Sequence, residues 1–499
     1  MKLLRLHIVQ LLLMALMVLS ATTSCYNYSG DDDLDLMDVG TAAQYINITI
    51  SVRTGQYLAT RGLPNGGEDG DGREKGIDTR ENEVEGVTLI FYQDAANTTA
   101  GVNASADNAT TTTIDYAVYY GVTRDDSHAS THPTGHTDEV FYTTGDKELT
   151  APLSSDNKYR LLVVANANLT GSITAGTTTL AQVRDMMLSS VYTGSGKGTD
   201  ASKFVMTSAD DTELTFNSYT DDKVHNRRIF NFDNIHIERL AARIDYWAKY
   251  SNGYKTSSDN TAYTTAGYEY TVKKPNGTDS EDRFVLTRIT PFNLNNGDEY
   301  IVKRTNDGTN PYLHDETTAN WVVDPNTSRK NSTDNYASYA SKLADVVTTF
   351  ENDYTVAMSD EQSNRLTIDT HDNIVLGYAK ENTLSSSGVS PLYYHATGLA
   401  FEGYYYNKGK GTGTRYVFYY FIRHQGEQDA AYQAFNNDNI NTDATKALVC
   451  PSSLAMNYGI VRNNIYRISI EKITSMGGTI KIAVKEMHWR HVDNPVIYL

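Results

Sequence analysis

The sequence predicts an all-β protein built of β-sandwiches with few short helices. Three observations predict it. Apolar and polar residues alternate in one short run after another, helical spacing is rare, and Asn, Thr, Ser and Gly fill the segments between. Only 39% of the 499 residues are apolar, but 36 Tyr join 13 Phe and 3 Trp. A Tyr ring can be buried while its hydroxyl stays wet, which suits thin β cores rather than disorder. The length corresponds to two or three domains. A net charge of -18 repels phosphate backbones and disfavours nucleic acid as a partner.

Lys2 and Arg5 precede an apolar run from Leu11 to Leu19, which is too short to span a bilayer and suits a secretory signal. Small residues from Ser20 to Ser24 then lead to Cys25, the pattern of a lipoprotein signal in which that thiol is acylated; an ordinary signal peptide cleaved nearby is the alternative. With Cys25 so used, Cys450 is the only other cysteine, leaving no intramolecular disulfide and no Cys-rich zinc site. Asp31, Asp32, Asp33, Asp35 and Asp38 follow without a basic residue, as in an extended, solvated tether.

The first strand is YINITISVR, with Ile46, Ile48, Ile50 and Val52 on a dry face and Asn47, Thr49, Ser51 and Arg53 on the other. A Gly- and charge-rich stretch bearing Arg61, Arg73 and Arg80 reads as exposed loop. Further strands are VTLIFYQ, then runs at 114–122, 158–168, 235–250, 268–274, 283–289, 373–379, 394–406 and 414–422, and the closing run. Helical spacing is best at 178–188, where Leu180, Val183, Met187 and Leu188 share a face and the preceding Thr residues supply a cap; a weaker helix is expected at 337–350. RRIFNFDNIHIERLAARIDY offers the least arbitrary boundary. The expected segments are a signal at 1–24, a tether and first strand at 25–61, one sandwich at 62–230 and another at 231–499.

Catalytic motifs are missing: neither GxSxG nor HExxH occurs, and Cys450 before Pro451 has no nucleophile setting. SGKGT at 195–199 and NKGKGTGTR at 407–415 mimic phosphate loops, but Gly rather than Ser or Thr follows the Lys. His128, His132 and His136 have a metal-like spacing only on a helix, which Pro133 and Gly135 interrupt. His488 and His491 fall on opposite faces of a strand. No metal, no cofactor and no enzymatic activity are expected.

Several phrases together resemble the fimbrillins, the subunits of type V pili: the lipoprotein signal, NITISVR with LATRG, VEGVTLIFY, YRLLVVANAN, FVMTSA, IERLAARID, LTRITPFNLNN, LGYAKENT and GIVRNNIYRISIEKI. The ending KIAVKEMHWRHVDNPVIYL resembles the C-terminal domain of the shaft subgroup forming short, minor-type fimbriae. The resemblance covers nearly the whole chain. It implies two transthyretin-like β-sandwich domains, a precursor lipid-anchored at the outer membrane, and removal of the N-terminal strand by an arginine-specific protease. It also implies donation of a C-terminal strand to a neighbour. Arg61 is the expected cleavage site, because a short LAT segment and RGLPNGG flank it; Arg53 is the alternative, and Arg73 and Arg80 stay open. Val496, Ile497, Tyr498 and Leu499 form the expected donor strand, which could instead be an ordinary terminal strand of its own sandwich. The partners implied are further copies of the chain, accessory pilins, the protease and a host or bacterial surface receptor. The competing readings are a lipid-anchored adhesin or pilus-base protein that keeps its first strand, and a surface glycan hydrolase.

Overall fold

The computed structural model describes residues 42–52, 80–93, 106–127, 140–151, 153, 158–208, 211–256, 263, 265–306, 322–327, 356–358, 365–368, 371–384, 395–409, 411–422, 431–433, 435–436, 458–476 and 479–488. In chain order the strands of the first half are β1 (Ala43–Val52), β2 (Gly86–Gln93), β3 (Ile114–Gly121), β4 (Thr123–Arg124), β5 (Val140–Thr143), β6 (Lys147–Glu148), β7 (Lys158–Ala165), β8 (Met187–Leu188), β9 (Met206–Ser208), β10 (Thr212–Thr215), β11 (Thr220–Asp222) and β12 (Arg227–Arg239). There follow β13 (Ala242–Trp247), β14 (Tyr254–Lys255), β15 (Gly267–Lys273), β16 (Asp279–Phe292), β17 (Glu299–Tyr300), β18 (Val356–Ala357), β19 (Arg365–Ile368) and β20 (His371–Ala379). The last are β21 (Asn382–Thr383), β22 (Gly398–Tyr406), β23 (Thr414–Phe421), β24 (Ala431–Gln433), β25 (Phe435–Asn436), β26 (Gly459–Ile460), β27 (Ile465–Met476) and β28 (Thr479–His488). Among the described residues, the short helices α1 (Ala106–Thr111) and α2 (Leu180–Arg184) interrupt them.

The chain is therefore all-β, as the alternating runs predict. One sheet runs β3, β2, β7, β9, β12, β1, β5, β4, with β10 on β7, β11 on β12 and β6 on β1. A second runs β19, β20, β13, β27, β15, β16, β22, β23, β25, extended by β14, β18, β24 and β28. Pairing is antiparallel except between β1 and β12 and where β27 meets β13 and β15. Each sheet has its own core: Ile90, Leu162, Phe204 and Ile237 lie in the first, Tyr246, Phe284, Phe401 and Ile468 in the second. Aromatic rings pack against one another inside the cores, as in the T-shaped contact between Phe284 and Phe418 at 6.0 Å.

Two expected runs divide differently. The 235–250 run breaks at Leu240 and Ala241: Leu240 N–H donates to the Val205 carbonyl, whereas the Ala241 carbonyl accepts from Asn463 N–H. These bonds pull the chain toward different sheets, so β12 joins the first and β13 the second. A boundary at 230/231 consequently falls inside β12. The 178–188 helix stops at Arg184. Thr179 caps it through a reciprocal box with Gln182 (2.9 and 3.2 Å), while Met187 and Leu188 form β8 and pair with β17. The expected helix at 337–350 lies outside the described residues.

Candidate functional site

β1 is a strand with no local partner. It lies between β12, which runs parallel to it, and β5 and β6, which run antiparallel. Parallel neighbours cannot be joined by a tight turn. Here even the antiparallel side is remote, since Ile48 and Thr144 are 96 residues apart, and on the parallel side Ser51 and His236 of β12 are 185 apart. Among the described residues, β1 is held by long-range strand pairing, burial and side-chain contacts.

Ile46, Ile48, Ile50 and Val52 are fully buried in the first core. The register to β12 shifts between Ile48 and Ile50, opposite Phe232 and Ile235, and this bulge leaves all four on one face. The opposite face is drier than the sequence analysis expects. Tyr45 and Asn47 are half-buried, but Thr49 and Ser51 are buried, and the Ser51 hydroxyl is satisfied by His236 Nδ1 at 2.6 Å. Further bonds set the register. Ile48 N–H donates to Thr144 Oγ1 and Thr144 N–H to the Ile48 carbonyl, both at 3.0 Å. Gln44 both donates to the Leu153 carbonyl (3.0 Å) and accepts from its N–H (2.9 Å). The Arg227 guanidinium lies 5.1 Å from the centre of the Tyr45 ring, a cation–π contact at the strand's start.

After residues 53–79, which lie outside the described residues, the chain reappears at Arg80 and is pinned before it enters β2. The Glu81 carboxylate accepts from Arg243 Nη1 (2.9 and 3.0 Å) and from the Tyr378 hydroxyl (2.5 Å), and the Glu81 carbonyl from Arg239 Nε (2.8 Å). Arg239 Nη2 also donates to Asn82 Oδ1, and the Tyr142 hydroxyl to the Asn82 carbonyl. Arg243 is shared with Asp245 at 2.9 Å, which Asn373 also contacts. Burial raises the Glu81 pKa, but Arg243 and Arg239 outweigh it and hold the carboxyl below the usual carboxylate range.

A second buried charge cluster links β17 to the segments that follow β20 and precede β27. Arg462 Nη2 contacts Glu299 Oε1 at 3.0 Å and Glu381 Oε2 at 2.8 Å, all three being fully buried, while Glu299 Oε2 accepts from Glu381 N–H. Burial, then the neighbouring Glu381 charge, pushes Glu299 well above the ordinary range. Burial also opposes ionisation of Glu381, but Arg462 holds its pKa down. In the first sheet Asp211 accepts from Arg184 Nη2 (2.6 Å) and from the Tyr92 hydroxyl.

Neither arginine of IERLAARID nor Glu81, Glu299, Glu381 and Arg462 figures among the sequence-predicted site residues. The readable signal for Arg239 and Arg243 is a charge embedded in an otherwise apolar run. The 195–199 segment, a phosphate-loop mimic, has its backbone committed to protein: Gly196 N–H donates to the Asp200 carbonyl and Gly198 N–H to the Leu376 carbonyl, both at 2.9 Å. Cys25, Arg53, Arg61, Arg73, His128, His132, His136, Cys450, His491, Val496, Ile497, Tyr498 and Leu499 lie outside the described residues, and His488 closes β28.

No protein-family model and no curated protein matches the chain. Among solved structures it is similar to the tip fimbrial protein Mfa3 from Porphyromonas gingivalis, with 10% identity, a TM-score of 0.37, and coverage of 89% of this chain and 100% of that one. It is also similar to a fimbrilin, FimA, from Porphyromonas gingivalis (11% identity, TM-score 0.35, 91% of this chain and 99% of that one). A fimbrial assembly protein from Parabacteroides distasonis has 13% identity and a TM-score of 0.33, with coverage of 89% and 96%. At these identities and scores the functional reading rests on this chain's own residues.

Proposed function

We propose that the chain is a structural subunit of a cell-surface fimbria that polymerises by exchanging its N-terminal strand for a strand donated by a neighbour. The observation that carries this reading is β1. It is the first described strand, it is fully buried along one face, and it has no hairpin link to either partner. At about 1.5–3 kcal/mol per buried aliphatic side chain, refilling the four sites of Ile46, Ile48, Ile50 and Val52 yields about 6–12 kcal/mol before ordering costs. The backbone ladder to β12 and β5 supplies register, as in other strand-addition complexes.

On this reading Cys25 carries the lipid that holds the precursor at the outer membrane, and an arginine-specific protease cuts after Arg61. The chain then begins at Gly62, and Val496–Leu499 of the next copy enters the vacated groove. The two sandwich domains carry the groove and the donor. The role is structural, and adhesion to a surface receptor would follow from the assembled fimbria. Incubating purified precursor with an arginine-specific protease should give a product starting at Gly62 and then ladders resistant to sodium dodecyl sulfate. Deleting Asn494 to Leu499 should leave a processed, folded monomer without ladders. Ladders from the truncated chain would place the donor elsewhere, and a misfolded truncated chain would assign the ending to its own domain.

A further inference from the structure

We infer that Glu81 and Asn82 form a clamp that ends the releasable N-terminal segment: the bond after Arg80 is shielded from proteolysis, and the chain from Glu81 onward stays fastened to the second sheet when β1 leaves. This rests on the proposed processing but concerns different residues. To an arginine-specific protease, Arg80 is chemically equivalent to Arg53, Arg61 and Arg73. Its side chain is exposed; Nη1 donates to the Thr199 carbonyl at 3.3 Å, and its charge also acts on Asp200. The residues following it decide the outcome.

A protease binds its substrate as an extended, unpaired backbone on both sides of the scissile bond. On the far side of Arg80 that backbone is already engaged. The Glu81 carbonyl accepts from Arg239, the Asn82 carbonyl accepts from Tyr142, and both side chains are buried. The Glu81 carboxylate is the counter-charge of Arg243 on β13 and is also bonded to Tyr378 on β20. Pulling Glu81 into a protease cleft would take a buried counter-charge from Arg243 and an acceptor from the Tyr378 hydroxyl, an opening that buried ion pairs resist strongly. Cleavage of a folded chain follows the population of its opened form, so cutting after Arg80 should be slower than after an arginine free of such contacts by on the order of a hundredfold or more. None of these anchoring contacts involves β1. Arg243 and Tyr378 belong to the second sheet, and Arg239 and Tyr142 to neighbours of β1 that remain when it departs. Loss of the strand therefore leaves the new N-terminal segment tethered beside the groove.

The test is timed digestion of the full chain with an arginine-specific endoprotease, reading N-termini by mass. The wild type should give no terminus at residue 81 while upstream cleavage runs to completion. Glu81→Ala and, from the other end of the pair, Arg243→Met should each open that site, and Glu81→Gln, which keeps the acceptor for Tyr378, should open it less. Unchanged hydrogen exchange in β22 and β23 identifies the folded variants. A wild-type terminus at Glu81 at a rate comparable with upstream cleavage would overturn the clamp, as would folded variants of both kinds that stay uncut there. If upstream cleavage never occurs but the variants open residue 81, the clamp stands and the processing proposal falls.

Discussion

Truncating Ile48 to Ala separates a strand that belongs to the monomer from one that is replaced on assembly. Ile48 is fully buried, opposite Phe232 on β12, and bonded through both its N–H and its carbonyl to Thr144. Reducing such a side chain to a methyl loses its transfer free energy and leaves a cavity, together about 2–5 kcal/mol. At about 1.4 kcal/mol per tenfold, the opening equilibrium of the sheet around β1 rises from about 30-fold to several thousand-fold. Because a chain with two cores need not unfold in one step, a single melting midpoint would blur the effect. Amide hydrogen exchange of β5 and β12 reads it locally. Exchange should accelerate by that factor in the unprocessed Ile48→Ala chain and, on the proposed strand replacement, not change in the assembled polymer. Equal acceleration in both forms would refute strand replacement, and no acceleration in the precursor would refute the structural role assigned to β1.

The remaining predictions concern the frame around that groove. Glu381→Gln should cost about 3–5 kcal/mol, because it removes the carboxylate that Arg462 holds in its charged form. Glu299 behaves oppositely: its folded pKa is raised, so its contribution is complete below the unfolded value and is lost as the pH rises through the folded one. Glu299→Gln should therefore flatten the fall of stability that sets in as the pH rises above the unfolded carboxyl value, as followed by denaturant titration at a series of pH values. Asp211→Ala removes the buried carboxylate bonded to Arg184 and should cost about 3–5 kcal/mol, seen as lost exchange protection in β7 and β10. In Gly267→Ala the new Cβ would sit 2.1 Å from the Leu286 carbonyl oxygen. This should force β15 away from β16 and lower the yield of folded protein, measured by circular dichroism.

Strands were readable because a half-buried sheet imposes period-2 alternation, and Ile46, Ile48, Ile50 and Val52 stand out on that ground alone. Their partner was not readable. Parallel pairing of β1 with β12 is a long-range choice, and no turn near either strand encodes it. The same limit explains the 235–250 run: its periodicity continues across Leu240 and Ala241, but two hydrogen bonds to distant residues decide where the sheet changes. Met187 and Leu188 satisfy a helical face on paper, yet tertiary pairing with β17 overrides a weak local preference. The buried contacts of Glu81 are not legible in the sequence, because the residue lies in a charge-rich stretch where one carboxylate looks like any other. Only the fold brings it to Arg243, 162 positions away.

The most direct test is a peptide census of subunits taken from assembled fimbriae. Mass spectrometry of that material should recover peptides from β2 onward and the C-terminal segment, and find the peptide covering Ala43–Val52 absent. Recovery of that peptide in a one-to-one ratio with the rest of the chain would contradict strand replacement and return β1 to a permanent place in the sheet.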